Sequence, residues 1–258
     1  MALSAVGAGR YGATVQPAWN GPVAPNGGVL AATMLRAAQA ELGPDAPPPR
    51  TVAAHFFEAP AAGDVDLTVE VMRRGKRVSA CDVRLLQARL LVAQATIVAS
   101  APRPQAAHLT RDPPAMPDPT DVAPIGAALF PSAPALFGQL EIRPALGPPI
   151  FARGDRALTG GWMALRGDDA PLDPARLCAL TDLWWPAVFG MLDRPAAVPT
   201  IQLTVHLRAV ARAVRGPVFA RFETRQIAEG HLEESGELWS SERELLAESR
   251  QLALLPAA

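Results

Sequence analysis

One acidic residue lies where it could act as a base. Asp182 interrupts the otherwise apolar segment 179–186, which continues through Trp184 and Trp185 to Pro186. Proline lacks a backbone N–H and clashes with the carbonyl four residues earlier in a regular helix. We therefore expect Asp182 at or just before the start of a helix. A helix N-cap is the alternative interpretation of this residue.

Two other polar segments could contact a ligand. Residues 73–77 form a basic cluster that includes Arg74. It is either a solvated hairpin turn or a contact to phosphate groups, which suit arginine geometry. His55 opens the run 55–57, which resembles the histidine-bearing segment of hotdog dehydratases. In those enzymes a helix follows, whereas residues 64–72 here alternate as a strand, which favours a structural His55.

Composition excludes several classes of function. The chain has 258 residues and a formal net charge of −1, which gives no electrostatic footprint for nucleic acid or an anionic membrane. Cys81 and Cys178 are far apart, and the four histidines are scattered, so we expect neither a disulfide nor a metal site. The sequence has no G-x-S-x-G elbow and no phosphate-binding loop, and we expect no cofactor.

The elements that must position these residues form two similar halves. In the first half, Asn26-Gly27-Gly28 precedes a helix predicted over 29–42, and strands are predicted over 51–58, 65–72, 78–86 and 90–99. In the second half, we predict a strand over 161–166, a helix cap at Asp173-Pro174, a helix over 183–192 and strands over 200–208, 218–227, 233–240 and 244–255. Residues 200–207 alternate cleanly, with Ile201 and Leu203 on one face and Thr200 on the other. Consecutive strands without intervening helices predict an antiparallel α+β protein.

These residues resemble the acyl-CoA thioesterase II family. The similarity is carried by Arg10-Tyr11, Asn26-Gly27-Gly28, His55-Phe56-Phe57 and Arg73-Arg74-Gly75, and in the second half by Gly161-Trp162, the Asp182 segment and Pro199-Thr200-Ile201. The resemblance implies a double hotdog fold, in which each of two repeats wraps an antiparallel sheet around a central helix. It places the first repeat at 1–103, a Pro-rich connector at 104–149, expected to be ordered but irregular, and the second repeat at 150–258.

The family's catalytic set is an Asp, a Thr and a Gln, and the resemblance carries it onto Asp182, Thr200 and Gln251. Asp182 would accept a proton from water, which Thr200 and Gln251 would hold by hydrogen bonds. Gly27 and Gly28, at the start of the first helix, would let a thioester oxygen approach free backbone N–H groups. His55 and Arg74 are further candidates for contact with the substrate.

The resemblance implies hydrolysis of a fatty or related acyl-CoA to free acid and CoA, a role in lipid metabolism. We expect a cytoplasmic homodimer without a membrane span. Two alternatives stay open. One is a hotdog protein that binds acyl-CoA or an acyl carrier without catalysis. The other is a hotdog enoyl-CoA hydratase, which needs a histidine–acid pair.

Overall fold

The described part of the chain forms one antiparallel sheet, two α-helices and several short 3₁₀ helices. The structure, a computed structural model, describes residues 2–104, 106, 108–125, 133–208 and 214–255. The helices are α1 (Gly27–Leu42) and α2 (Pro174–Leu180). The strands are β1 Leu3–Gly7, β2 Arg10–Val15, β3 Pro49–Phe56, β4 Gly63–Arg73, β5 Val78–Gln87, β6 Leu90–Ser100, β7 Leu140–Leu146, β8 Leu158–Leu165, β9 Thr200–Leu207, β10 Val218–Ala228, β11 His231–Trp239 and β12 Leu245–Leu254.

The twelve strands found among the described residues belong to a single sheet with the order β1-β2-β4-β5-β6-β3-β9-β12-β11-β10-β8-β7. The two halves of the chain contribute six strands each in the same arrangement. From one edge to the central β3–β9 pair the order is β1-β2-β4-β5-β6-β3, and from the other edge it is β7-β8-β10-β11-β12-β9. Every neighbouring pair is antiparallel, and β3 joins β9 with Val52 opposite Val205. The prediction of antiparallel strands is therefore confirmed.

Helix α1 is the centre of the main core. It begins where the Asn26 side chain accepts a hydrogen bond from the Val29 N–H at 3.1 Å, and it ends at Gly43, whose φ of 83° is a conformation that glycine adopts without strain. Most of its side chains are buried, including Leu30, Met34 and Leu35. A helix apolar on nearly all sides has to be enclosed, and α1 packs against strands β3 to β6, against β9 and against α2.

The second helix differs from the prediction. No α-helix forms over 183–192, whereas the predicted cap is confirmed: α2 starts where Asp173 caps the Arg176 N–H at 2.8 Å and Pro174 occupies the first turn. It ends at Leu180, and the Asp182 N–H closes a tight turn onto the Ala179 carbonyl at 3.0 Å. Beyond Pro186 only a short 3₁₀ helix forms, at Ala187–Gly190. Asp182 thus follows a helix end and does not start a helix.

The connector predicted over 104–149 contains more regular structure than expected. It contains strand β7, which pairs with β8, and 3₁₀ helices at Pro119–Asp121 and Ala135–Gln139. Its Met116 and Val122 pack on a second apolar cluster made by Trp162, Phe219 and Trp239. The Trp162 indole N–H also donates to the Pro117 carbonyl at 2.9 Å. Because this segment is rich in proline, its sequence did not indicate that part of it packs on the sheet.

Among the described residues, no helix combines the length and the apolar character that a bilayer crossing requires.

Candidate active site

Asp182 bridges the end of α2 to the beginning of α1. Its carboxylate oxygen Oδ2 accepts the Gly28 backbone N–H at 2.8 Å and the Asn26 side-chain amide at 3.0 Å. The same Asn26 amide donates to the backbone carbonyl of Asp182 at 2.7 Å. Asp182 therefore lies at the N-terminus of α1 in the first half, and not at the N-terminus of the second-half helix as the sequence suggested.

Gly28 permits this close approach. A Cβ added at position 28 would lie 2.7 Å from the Asp182 Cβ and 2.8 Å from the Ala179 carbonyl oxygen. At Gly27 the same atom would meet the Phe56 ring at 3.2 Å and Asp182 Oδ2 at 3.3 Å. The two glycines thus make room for a carboxylate and for Phe56, an aromatic residue that sequence reasoning did not assign to the site.

The environment raises the pKa of Asp182 to about 6, mainly because burial penalises the charged form. Hydrogen bonds from the Gly28 N–H, the Asn26 amide and the Gln251 amide act in the opposite direction and lower it. The residue keeps a partly accessible surface. A carboxylate that is held by fixed donors and titrates close to neutral pH is suited to general-base work.

Gln251 and Thr200 lie together beside Asp182. The Thr200 hydroxyl donates to Gln251 Oε1 at 2.9 Å, and Gln251 also forms a hydrogen bond with Asp182. The three residues assigned from the resemblance therefore share one site. They come from the turn after α2, from the beginning of β9 and from the end of β12, which only the folded sheet brings close.

A bulge in β9 places Thr200 on the correct face. Gln202 pairs with Leu252 and Thr200 pairs with Ala253, so Ile201 is an extra residue without an opposite partner. Ala253 and Gln251 are both buried on the helix side of the sheet. The predicted clean alternation was therefore wrong at its first residue. Without the bulge, Thr200 would face away from Gln251.

A second carboxylate belongs to the site, and sequence reasoning missed it. Glu234 of β11 lies opposite Gln251 in register and is only 3 % exposed. Its Oε1 accepts the Gln251 side-chain amide at 3.0 Å, and its Oε2 accepts the Ala187 N–H at 2.6 Å. The signal that could have found it was an acid at an inward position of β11, between the buried Leu232 and Leu238.

The structure does not bring His55 and Arg74 to this site. His55 is exposed and alternates with the inward Val52 and Ala54 of β3, so it lies on the opposite face of the sheet. Arg74 donates to the carbonyls of Leu42 at 2.9 Å and Glu41 at 3.1 Å. It therefore caps the C-terminal end of α1, about 21 Å along the helix from Gly28.

Comparison with solved structures defines the class of protein. A hotdog-fold protein of unknown function from Alicyclobacillus acidocaldarius superimposes with a TM-score of 0.90 at 27% identity, over 100% of this chain and 96% of that one. An acyl-CoA thioesterase II from Mycobacterium marinum shares the fold with a TM-score of 0.77 at 18% identity, over 100% and 96% of the two chains. The architecture is that of hotdog proteins.

Sequence comparison then gives the family. Residues 15–100 match the model of the acyl-CoA thioesterase N-terminal domain, and residues 110–255 match that of the C-terminal domain. The chain belongs to the acyl-CoA thioesterase family. An uncharacterised protein of Mycobacterium tuberculosis is 26% identical over 90% of this chain and 86% of its own length.

Proposed function

We propose that this protein hydrolyses acyl-CoA thioesters with Asp182 as general base. The observation that carries the proposal is the convergence of Asp182, Thr200 and Gln251 at the N-terminus of α1. Family membership supports a thioesterase, and the mirrored strand order leads us to infer two hotdog repeats, with the catalytic residues in the second half and α1 in the first.

The reaction needs an activated water. Asp182 Oδ2 is occupied by two N–H donors, so Oδ1 is the oxygen that would take the proton of water. The Thr200 hydroxyl donates to Gln251, which leaves its lone pairs to accept a hydrogen bond from the same water. As that proton moves to Asp182, the water oxygen bonds to the acyl carbon.

The charge that develops on the thioester oxygen needs a donor. Gly28 N–H is already used by Asp182, so the Gly27 N–H in the first turn of α1 is the donor that we assign. Collapse of the tetrahedral intermediate breaks the C–S bond, and the departing CoA sulfur receives the proton that Asp182 had taken. The products are a free acid and CoA.

A thiol-release assay over a series of acyl-CoA chain lengths tests the proposal. We expect free CoA from the wild type, with a rate that falls as pH drops through about 6, because protonated Asp182 cannot act as a base. Asp182→Asn should lose a hundredfold or more in kcat/KM. Asp173→Asn is the matched control, because asparagine also caps α2 well and the residue lies outside the site.

The other functions give different results in the same assay. A protein that retains acyl-CoA and releases no thiol would support a binding role and refute hydrolysis. Consumption of an enoyl-CoA without thiol release would indicate a hydratase. Equal rates for wild type and Asp182→Asn would remove Asp182 from the mechanism.

A further inference from the structure

We propose that Glu234 is a positioning residue that sets the orientation of the Gln251 side-chain amide, and through it the direction of the Thr200 hydrogen bond. The proposal rests on the function proposed above and adds a fourth polar residue to it. Glu234, Gln251 and Thr200 lie on β11, β12 and β9, which are adjacent strands of the sheet, so the effect passes through direct contacts.

Two N–H groups donate to the Glu234 carboxylate. One is the Gln251 amide at Oε1 and the other is the Ala187 backbone N–H at Oε2. Only an ionised carboxylate offers an acceptor on each side, since a glutamine or a protonated acid replaces one acceptor with a donor. Placing two donors against each other in a buried site leaves one of them without an acceptor and costs the desolvation of that group.

This contact decides which end of the Gln251 amide faces the catalytic carboxylate. The amide nitrogen of Gln251 donates to Glu234, and the hydrogen bond between Gln251 and Asp182 lowers the pKa of Asp182. The amide oxygen of Gln251 therefore accepts the Thr200 hydroxyl. If the amide reversed, its oxygen would meet two carboxylates and Thr200 would face a donor. Thr200 would then accept from Gln251, and its hydroxyl hydrogen would turn away from Gln251 toward the attacking water.

Protonation would loosen the same contact. Burial raises the pKa of Glu234 to about 7, whereas the Ala187 N–H and the Gln251 amide lower it. The other groups that face Glu234 are Asp182, whose charge raises this pKa, and the Thr224 hydroxyl of β10, which lowers it. Below neutral pH the added proton replaces one acceptor, so the hold on Gln251 weakens as pH falls.

Glu234→Gln tests the proposal. We expect kcat to fall by about tenfold to a hundredfold with KM within about twofold, because alignment is lost and substrate contacts are kept. The wild-type plot of log kcat/KM against pH should approach a slope of two on its acid side, since Asp182 and Glu234 both titrate, and the variant should show a slope of one. Glu233→Gln, whose side chain contacts Ser235 and Arg250, is the matched control and should match wild type.

A double-mutant cycle separates positioning from general structural damage. In a Gln251→Ala background, Glu234→Gln should cost less than about twofold more, because the residue it orients is gone. A full additional loss in that background would overturn the proposal. So would an unchanged kcat in folded Glu234→Gln, with folding checked by thermal unfolding.

An NMR titration keeps the test independent of turnover. In wild type the Gln251 side-chain amide signals should shift with a midpoint near pH 7, and in Glu234→Gln that midpoint should vanish. If no acyl-CoA is hydrolysed, the proposed function fails while this titration still decides the Glu234–Gln251 contact. If Glu234→Gln does not fold, the wild-type titration decides alone, and signals insensitive to pH between 5 and 9 refute the contact.

Discussion

Replacing Gly28 with alanine should disable the site while leaving the helix intact. An alanine Cβ would lie 2.7 Å from the Asp182 Cβ and 2.8 Å from the Ala179 carbonyl oxygen, whereas ordinary contacts begin at 3.4 Å. The added Cβ would be about 0.7 Å too close to the Asp182 Cβ and about 0.6 Å too close to the Ala179 carbonyl oxygen. Neither atom is the far end of a flexible side chain that could move aside. The turn after α2 must therefore move away from α1.

The energetic terms oppose each other. Alanine favours a helix over glycine by about 1 kcal/mol, but overpacking costs about 1–3 kcal/mol, so stability should change by no more than about 2 kcal/mol. The rate should suffer much more, because the shift breaks the 2.8 Å bond from the Gly28 N–H to Asp182 and misplaces the base. A displacement close to 1 Å can cost about a hundredfold.

The assay is kcat and KM for acyl-CoA together with the thermal midpoint. Gly27→Ala makes only 3.2 and 3.3 Å contacts and should lose less than tenfold. Gly138→Ala, which would meet nothing within 4 Å, should behave as wild type. A Gly28→Ala protein with a wild-type kcat would refute the idea that the spacing between α1 and the Asp182 turn sets the geometry of the base.

Three further predictions concern single residues. Thr200→Val, which keeps the shape and loses the hydroxyl, should lower kcat by about tenfold to a hundredfold, whereas Thr200→Ser should retain most of it, as measured by thiol release. Arg74→Ala should lower the free energy of unfolding by about 1–2 kcal/mol through loss of two helix-capping bonds, with KM unchanged; a raised KM would instead indicate substrate contact. The pKa of Asp182 is higher in the folded state than in the unfolded state, so ionised Asp182 lowers the free energy of unfolding above about pH 6. This loss of stability is recovered as pH falls toward 4, because the folded state then binds a proton that the unfolded state does not. Denaturant unfolding should thus show Asp182→Asn gaining stability relative to wild type between pH 4 and 8, by at most about 3 kcal/mol; an unchanged difference would contradict the shift.

Local signals in the sequence were sufficient for most of the strands, though not for β1 or β7, and for α1 and the family. Alternation and turn residues in 51–99 and 218–255 predict antiparallel strands, and the structure pairs them so. Asn26 with Gly27 and Gly28 indicates the start of α1, because capping depends on neighbouring residues. The family resemblance identified Asp182, Thr200 and Gln251, because residue type and order along the chain can be matched without knowing the distances between the residues.

Tertiary structure decided what depends on partners distant in sequence. Asp182 contacts the N-terminus of α1, which lies about 150 residues earlier in the sequence, because the end of α2 meets the start of α1. Thr200 faces Gln251 only through a bulge whose partner strand is β12, and Glu234 became a site residue only when register set it opposite Gln251. Arg74 was assigned to ligand binding by its charge, but the fold gives it the open carbonyls at the end of α1. Periodicity and composition are properties of a segment, whereas the orientation and hydrogen-bond partners of a polar side chain are set by which segments pack against it.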